Sequence, residues 1–108
     1  MIELEEYERA DGRVPFSEWL DGLRDIGGRA RIYKRLTRLR AGLLGDWKTV
    51  GGGVMELREQ HGPGYRIYCA RHGNALIVLL AGGDKRTQQK DIEYAQTYWQ
   101  EWKQRRTP

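Results

Sequence analysis

Residues 54–81 read VMELREQHGPGYRIYCARHGNALIVLLA, and apolar side chains alternate with polar ones through much of this segment. Because successive side chains of a strand point to opposite faces of a sheet, the alternation predicts β-strands. Glycine-containing stretches divide the segment, so we expect three strands, at about residues 53–59, 65–71 and 75–81. Short turns join antiparallel neighbours, and the three strands therefore predict an antiparallel meander.

One strand and two helices are predicted before the meander. Residues 2–8 carry a weak strand pattern, and residues 15–24 predict a short amphipathic helix with Pro15 at its first position. A second helix is expected over about residues 28–44, with Gly45 as its C-terminal cap. Its apolar stripe consists of Ile32, Leu36, Leu39 and Leu43.

A last helix is predicted after the meander. Asp84 or Thr87 can cap its start, and the tail KQRRTP at residues 103–108 is expected to fray. Its apolar stripe consists of Ile92, Ala95, Trp99 and Trp102. The predicted order is β-α-α-β-β-β-α, an α+β fold in which a small antiparallel sheet packs with an N-terminal helical hairpin and a C-terminal helix. We expect residues 1–108 to form a single domain, since this length is near the usual domain size.

Composition limits the cellular setting. No apolar run approaches the roughly 18 residues that a membrane span needs, and the N-terminus MIELEEYERADG is acidic where an export signal is basic. We therefore expect a cytoplasmic protein without a membrane partner. Cys69 is the only cysteine, which excludes an internal disulfide and favours a small buried core residue.

Charge is distributed unevenly around a net value of +4. Residues 1–25 contain eight acidic and three basic side chains, whereas residues 29–40 contain six basic side chains and no acid. A basic helix of this kind is compatible with a polyanionic partner, with an acidic protein partner, or with a surface that only keeps the protein in solution. The sequence favours none of these three explanations.

The alternation also assigns side chains to the two faces of the sheet. Met55, Leu57, Ile67 and Cys69 share the face that the helices should cover. The opposite face then receives Glu56, Arg58, Arg66 and Tyr68, and we expect this face to be open to solvent. Taken singly, each arginine here is explained by an ion pair with Glu56 or Glu59.

Residues 51–95 carry several linked motifs in a fixed order: an ELR strand, a GPGYR turn and strand, an apolar strand, and GGDK followed by Thr-Gln and Asp-Ile at a helix start. This succession resembles the RelE/ParE superfamily of toxins from type II toxin–antitoxin modules. Within it, the pattern is similar to the HigB-like, addiction-module killer branch. The upstream PFSEWL, residues 15–20, and the arginine-rich helix agree with that branch.

The resemblance implies a fold, an activity and partners. It implies an antiparallel sheet flanked by a helical hairpin and a C-terminal helix. It also implies a metal-independent, cofactor-free endoribonuclease that enters the ribosome and cuts messenger RNA. The implied partners are a cognate antitoxin of the helix-turn-helix, HigA-like kind, the ribosome with its message, and operator DNA reached only through the antitoxin.

Cleavage of RNA by its own 2′-hydroxyl requires a proton acceptor, a proton donor, and cations for the phosphoryl oxygens. By position in the shared motifs, Arg66 matches a phosphate-binding arginine of the relatives, and Lys85 and Arg86 match the region of another basic group. Arg58 lies on the same predicted face as Arg66. The predicted catalytic residues are Arg58, Arg66, Lys85 and Asp91, and the predicted substrate-binding residues are Lys48, Tyr68, Asp84, Arg86, Thr87 and Gln88.

The chain departs from the family pattern at the proton-transfer groups. Two lysines that RelE-type relatives place in the second strand are replaced here by Val54 and Glu56, and a tyrosine of their last helix has no clear counterpart. Histidine and aspartate serve other relatives. His61, His72, Asp84 and Asp91 are therefore all candidates, and the general base stays unassigned.

Two glycine-rich segments border the predicted site. Gly82 and Gly83 are expected to turn the chain tightly into the last helix, where backbone amides offer an anion site, although a simple turn and helix cap also explain them. Residues 51–53, with Trp47 and Lys48 before them, predict a loop that enters the sheet.

Three functions remain open on the sequence alone. The first is a ribosome-dependent messenger RNA endonuclease that arrests growth. The second is a ParE-like toxin that inhibits gyrase and has no nuclease site. The third is a degenerate toxin that acts only in a repressor complex with its antitoxin and operator DNA.

Overall fold

The computed structural model describes residues 1–106. Within them it has five strands and three α-helices, and one turn of 3₁₀ helix, Lys85–Thr87, leads into the last helix. The strands are β1 (Glu3–Glu6), β2 (Trp47–Thr49), β3 (Met55–Glu59), β4 (Tyr65–His72) and β5 (Leu76–Asp84), and the helices are α1 (Pro15–Asp21), α2 (Ile26–Arg40) and α3 (Gln88–Arg106). The α+β prediction is confirmed, with one more strand than the sequence predicts.

The five strands form one sheet in the order β1-β5-β4-β3-β2. The predicted meander β3-β4-β5 is antiparallel, whereas β1 pairs with β5 in parallel, with Glu3 beside Leu76. The unpredicted strand β2 lies at the edge, where Lys48 pairs with Glu56. The prediction of a loop at Trp47 and Lys48 is wrong because a three-residue edge strand with every side chain exposed has no apolar alternation to detect.

Helices α1 and α2 cover one face of the sheet. Their buried residues Phe16, Leu20, Ile32, Leu36 and Leu39 pack in one core with Met55, Leu57, Ile67 and Cys69, as the alternation predicts. Helix α2 begins at Ile26, because the side chain of Asp25 caps it by accepting the Gly28 amide at 2.9 Å. It ends at Arg40, so the expected cap at Gly45 is wrong and Leu43 lies beyond the helix, 60% exposed.

Helix α3 covers the other face, which the sequence predicts to be open. Its buried residues Ala95, Trp99 and Trp102 pack with Val54, Tyr68, Ala70, Val78 and Leu80. The expectation of an open face is wrong because the last helix, rather than solvent, occupies it. Helix α3 also continues to Arg106, so residues 103–106 of the predicted frayed tail are helical, and Thr107 and Pro108 lie outside the described residues. Among residues 1–106, no helix has both the length and the apolar character of a membrane span.

Strand β5 runs through Gly82 and Gly83, so the tight turn predicted there is wrong. These glycines serve close packing instead. A Cβ at Gly82 would lie 2.1 Å from the Trp19 ring, and a Cβ at Gly83 would lie 1.9 Å from Asp91 Oδ2. Only residues without a side chain allow Trp19 to approach the strand from one face and Asp91 from the other.

Candidate functional site

Arg66 and Arg58 are direct cross-strand neighbours on β4 and β3, and they share the sheet face that α3 covers. Arg66 is buried, at 7% exposure. Its Nη1 donates to the carbonyl oxygens of Gly64 and Tyr65, both at 3.2 Å, and its Nε has no hydrogen-bond partner. The nearest carboxylate oxygen to that Nε is Glu56 Oε1, at 3.8 Å. The guanidinium group of Arg66 is therefore held in place by backbone carbonyl groups at the start of β4.

Glu56 is the centre of a buried polar cluster beneath the start of α3. Its side chain is fully buried, and its Oε2 accepts from the Tyr68 hydroxyl at 3.1 Å and from Gln88 Nε2 at 2.8 Å. Its Oε1 has no hydrogen bond but faces Arg66 and, at 4.0 Å, Lys48 Nζ. Glu56 therefore connects β4, β2 and α3.

Tyr68 belongs to this cluster and not to an exposed surface. It is 0% exposed, and burial together with the Glu56 carboxylate raises the pKa of its hydroxyl. The face on which the alternation places it is covered by α3, so Tyr68 is not exposed, and its contact with substrate stays a prediction. Gln88 likewise directs its amide to Glu56.

A cleft of about 430 Å³ opens beside Arg66. It is lined by Gln60, His61, Gly62, Pro63, Gly64, Arg66 and Lys85. The turn between β3 and β4 forms its floor, and Gly64 there has a φ of 82°, which favours glycine. A Cβ at Gly64 would lie 3.4 Å from Arg66 Nη1 and 3.7 Å from Lys85 Cβ, so this turn brings the two basic residues together.

His61, at the rim of this cleft, is paired with Asp25. His61 Nε2 lies 3.4 Å from Asp25 Oδ2, and the same oxygen accepts from the Tyr65 hydroxyl at 2.8 Å. The hydrogen bond from the Gly28 amide, followed by that from Tyr65, lowers the pKa of the Asp25 carboxyl. Asp25 is therefore an ionised acceptor at neutral pH, shared by α2, β4 and the turn that carries His61.

Several sequence-predicted residues are bound elsewhere. Arg58 Nη2 binds Asp46 Oδ1 at 2.8 Å, and Arg58 does not line the cleft. Arg86 binds Asp84 at 3.0 Å, and its hydrogen bond lowers the pKa of the Asp84 carboxyl. The Asp84 side chain also accepts from the Arg86 amide at 2.9 Å, which confirms its predicted capping position.

Asp91 and Thr87 form a separate pair at the start of α3, where Thr87 Oγ1 donates to Asp91 Oδ2. Burial raises the pKa of the Asp91 carboxyl. Asp91 lies against Gly83, the strand partner of Arg66, on the α3 side of the sheet. His72 is far from all of these groups, at the opposite end of β4, where its ring contacts Trp102 with 5.0 Å between ring centroids.

The structure adds two residues that the sequence analysis does not predict. Asp25 precedes Gly27 and Gly28 at a helix start, which is a capping pattern. Arg35 is buried and donates to the carbonyl oxygens of Arg58, Leu44 and Asp46, so it fixes the loop before β2 and does not belong to the exposed basic face. Among residues 1–106, no group of three His, Cys, Asp or Glu side chains is placed to bind a metal ion.

Comparison with known proteins gives two matches. Residues 18–101 match the family described as phage derived protein Gp49-like (DUF891). A protein of Haemophilus influenzae, recorded as "Uncharacterized protein", is 44% identical over 88 residues, which cover 82% of this chain and 89% of that protein. The chain therefore belongs to the Gp49-like family, which is part of the addiction-module killer group of RelE-like toxins and implies a cognate antitoxin as its partner.

Proposed function

We propose that this protein is the toxin of a type II toxin–antitoxin module and that it cuts messenger RNA on the ribosome. One observation carries the proposal: Arg66, Lys85 and His61 line a single cleft. Two cations can stabilise the phosphoryl oxygens and an imidazole can accept a proton, which are functions that cleavage by the RNA 2′-hydroxyl needs.

Arg66 is suited to hold the phosphate. Its hydrogen bonds within residues 1–106 run through Nη1, which leaves Nη2 for a ligand in the cleft. A guanidinium that is already fixed loses little conformational freedom when it binds phosphate oxygens. Lys85 is exposed at the same cleft and adds a mobile positive charge for the pentacovalent transition state.

The exposed face of α2 supports ribosome binding. Arg31, Lys34, Arg38 and Arg40 are exposed there, and residues 26–45 contain no acid. Such an array gives sequence-independent, salt-sensitive affinity for an RNA backbone. The antitoxin, which we propose to be a HigA-like helix-turn-helix protein, would neutralise the toxin and alone contact operator DNA.

The test is to induce the chain without its antitoxin and to map new 5′ ends across cellular messages, with and without a drug that blocks translation initiation. We expect in-frame cuts that disappear with the drug. The variants Lys85→Ala and Arg66→Lys should abolish the cuts, because the first removes a cation from the cleft and the second removes the guanidinium fork.

Lys90→Ala is the matched control, since Lys90 is an exposed cation on α3 that does not line the cleft, and it should leave the cuts unchanged. Growth arrest with DNA-damage signalling and no cuts would refute the proposal in favour of gyrase inhibition. Normal growth of the induced cells would favour the repressor-only function.

A further inference from the structure

The carboxylate of Asp25 lies beside the ring of His61. Asp25 Oδ1 accepts the Gly28 amide, and Oδ2 accepts the Tyr65 hydroxyl, so both oxygens are fixed by donors. The nearest ring nitrogen of His61 to Oδ2 is Nε2, at 3.4 Å. Because an ionised carboxylate only accepts hydrogen bonds, this contact favours the tautomer with the proton on Nε2, which leaves a lone pair on Nδ1.

Two glycines, Gly28 and Gly62, are needed for this arrangement, whereas Gly27 has space for a side chain. A Cβ at Gly28 would lie 2.5 Å from the Tyr65 ring and 2.8 Å from Asp25 Oδ2, so no other residue fits there. A Cβ at Gly27 would lie 3.5 Å from His61 Nε2, and Gly62, beside His61, has a φ of 56°. The His61 ring also lies nearly parallel to the Tyr65 ring, with 6.3 Å between centroids. The His61 ring therefore lies beside Gly27, Asp25 and Tyr65.

The other acid–base candidates of the sequence are less suitable. Glu56 is fully buried, the Asp84 carboxylate is bound by Arg86, and His72 lies at the far end of β4. Asp91 lies against Gly83 on the α3 side of the sheet and does not line the cleft.

We infer that His61 is the general base of the cleft and that Asp25 is the positioning residue that selects its reactive tautomer. This inference rests on the proposed function and adds to it the group that moves the proton. Carboxylates commonly orient an imidazole in acid–base catalysis, and here the carboxylate belongs to Asp25, the N-cap residue of α2.

The reaction step is balanced with these groups. His61 Nδ1 takes the proton of the RNA 2′-hydroxyl while O2′ forms a bond to the adjacent phosphorus. The bond from phosphorus to O5′ breaks, O5′ takes a proton from water at the open side of the cleft, and the hydroxide that remains takes the proton back from His61. The products are a 2′,3′-cyclic phosphate and a 5′-hydroxyl, and Asp25 stabilises the imidazolium that forms.

The first test reads the tautomer directly and does not depend on activity. Nitrogen-15 NMR of the His61 side chain in the full chain should show a proton on Nε2. In Asp25→Asn, whose side chain also caps helices well, the amide NH₂ turns toward His61 and the proton should move to Nδ1. Tyr65→Phe removes the other donor to Oδ2 and should leave the tautomer unchanged. A proton on Nδ1 in the unaltered protein would overturn the inference.

The second test measures message cleavage on purified ribosomes. His61→Ala should lower kcat by about 100-fold or more, leave KM unchanged, and regain activity when imidazole is added. Asp25→Asn should also lower kcat and leave KM unchanged. If Asp25 and His61 had only a structural role, Asp25→Asn and Tyr65→Phe should lose equal activity, and imidazole should not restore the activity of His61→Ala.

The outcomes separate the two ideas. Cleavage that is lost in Lys85→Ala but intact in His61→Ala overturns the assignment of His61 and keeps the proposed function. Absence of cleavage by the unaltered protein overturns the proposed function and this inference with it.

Discussion

Replacing Glu56 with Gln tests whether the buried polar cluster holds the sheet to α3. The Glu56 side chain is fully buried, and one oxygen accepts from Tyr68 and Gln88 while the other faces two cations. These cations are Arg66 Nε at 3.8 Å and Lys48 Nζ at 4.0 Å. Gln keeps the shape and one accepting oxygen, but it turns an uncharged NH₂ group toward both cations.

The distances set the size of the effect. Two unit charges at 3.8 Å attract by about 4 kcal/mol in a medium with an effective dielectric constant of about 20. Lys48 contributes less, because its side chain is 49% exposed and water screens it. Removing one member of a buried pair typically costs about 3–5 kcal/mol. Since Gln retains two hydrogen bonds, we expect a loss of about 3 kcal/mol in the free energy of unfolding, near the lower limit of that range.

The assay is urea and thermal unfolding followed by circular dichroism. A loss of this size should lower Tm by about 12 °C or more, since each kcal/mol corresponds to about 4 °C or more in a domain of this length. The double variant Glu56→Gln with Arg66→Met, which leaves neither buried charge, should recover more than half of the loss.

Glu18→Gln provides the control, because the Glu18–Arg13 pair is exposed on both sides and its loss should leave the midpoint unchanged. A Glu56→Gln protein that melts within about 2 °C of the original would refute the reasoning. The same holds if the double variant is less stable than Glu56→Gln alone.

Three further predictions concern stability and reactivity. Gly28→Ala should lower Tm, because its Cβ would lie 2.5 Å from the Tyr65 ring, whereas Gly27→Ala meets only ordinary contacts and should be tolerated. Burial raises the pKa of the Asp91 carboxyl, so its ionisation weakens the fold as pH rises through the interval between its unfolded and folded pKa values. Asp91→Asn should therefore raise Tm at neutral pH and not below about pH 3, and equal Tm shifts at both pH values would contradict this. Burial also raises the pKa of the Cys69 thiol to about 12, so a disulfide reagent should label it only after unfolding, and rapid labelling of the folded protein would count against this.

The sequence predicts those parts of the fold that depend on one element at a time. Ile32, Leu36 and Leu39 repeat at helical spacing, and Leu57 and Ile67 alternate, so the helices, the meander and the face against α1 and α2 are confirmed. Each of these patterns arises because one side of a helix or strand is covered by the core and the other is exposed, and a single element is enough to show it.

What the sequence does not predict depends on pairs of elements. Glu56 and Arg66 look like exposed strand residues, and only the position of α3 shows that they are buried together. Gly82 and Gly83 look like a turn, because a glycine's need for space depends on the side chain that approaches it, here Trp19 and Asp91. The pair formed by Asp25 and His61 joins residues far apart in the chain, and no local pattern connects them.

The position of α3 also limits the side from which the proposed RNA substrate would approach. On an open sheet face, Arg58 and Arg66 would both offer their guanidinium groups to RNA. In the structure each is engaged by its own carboxylate, Asp46 for Arg58 and Glu56 for Arg66, and the α3 side of Arg66 is covered. Under the proposed function, a phosphate would reach Arg66 through the cleft at the turn between β3 and β4. The proton acceptor for the neighbouring 2′-hydroxyl would then stand on that turn as well, where we propose His61 for this role.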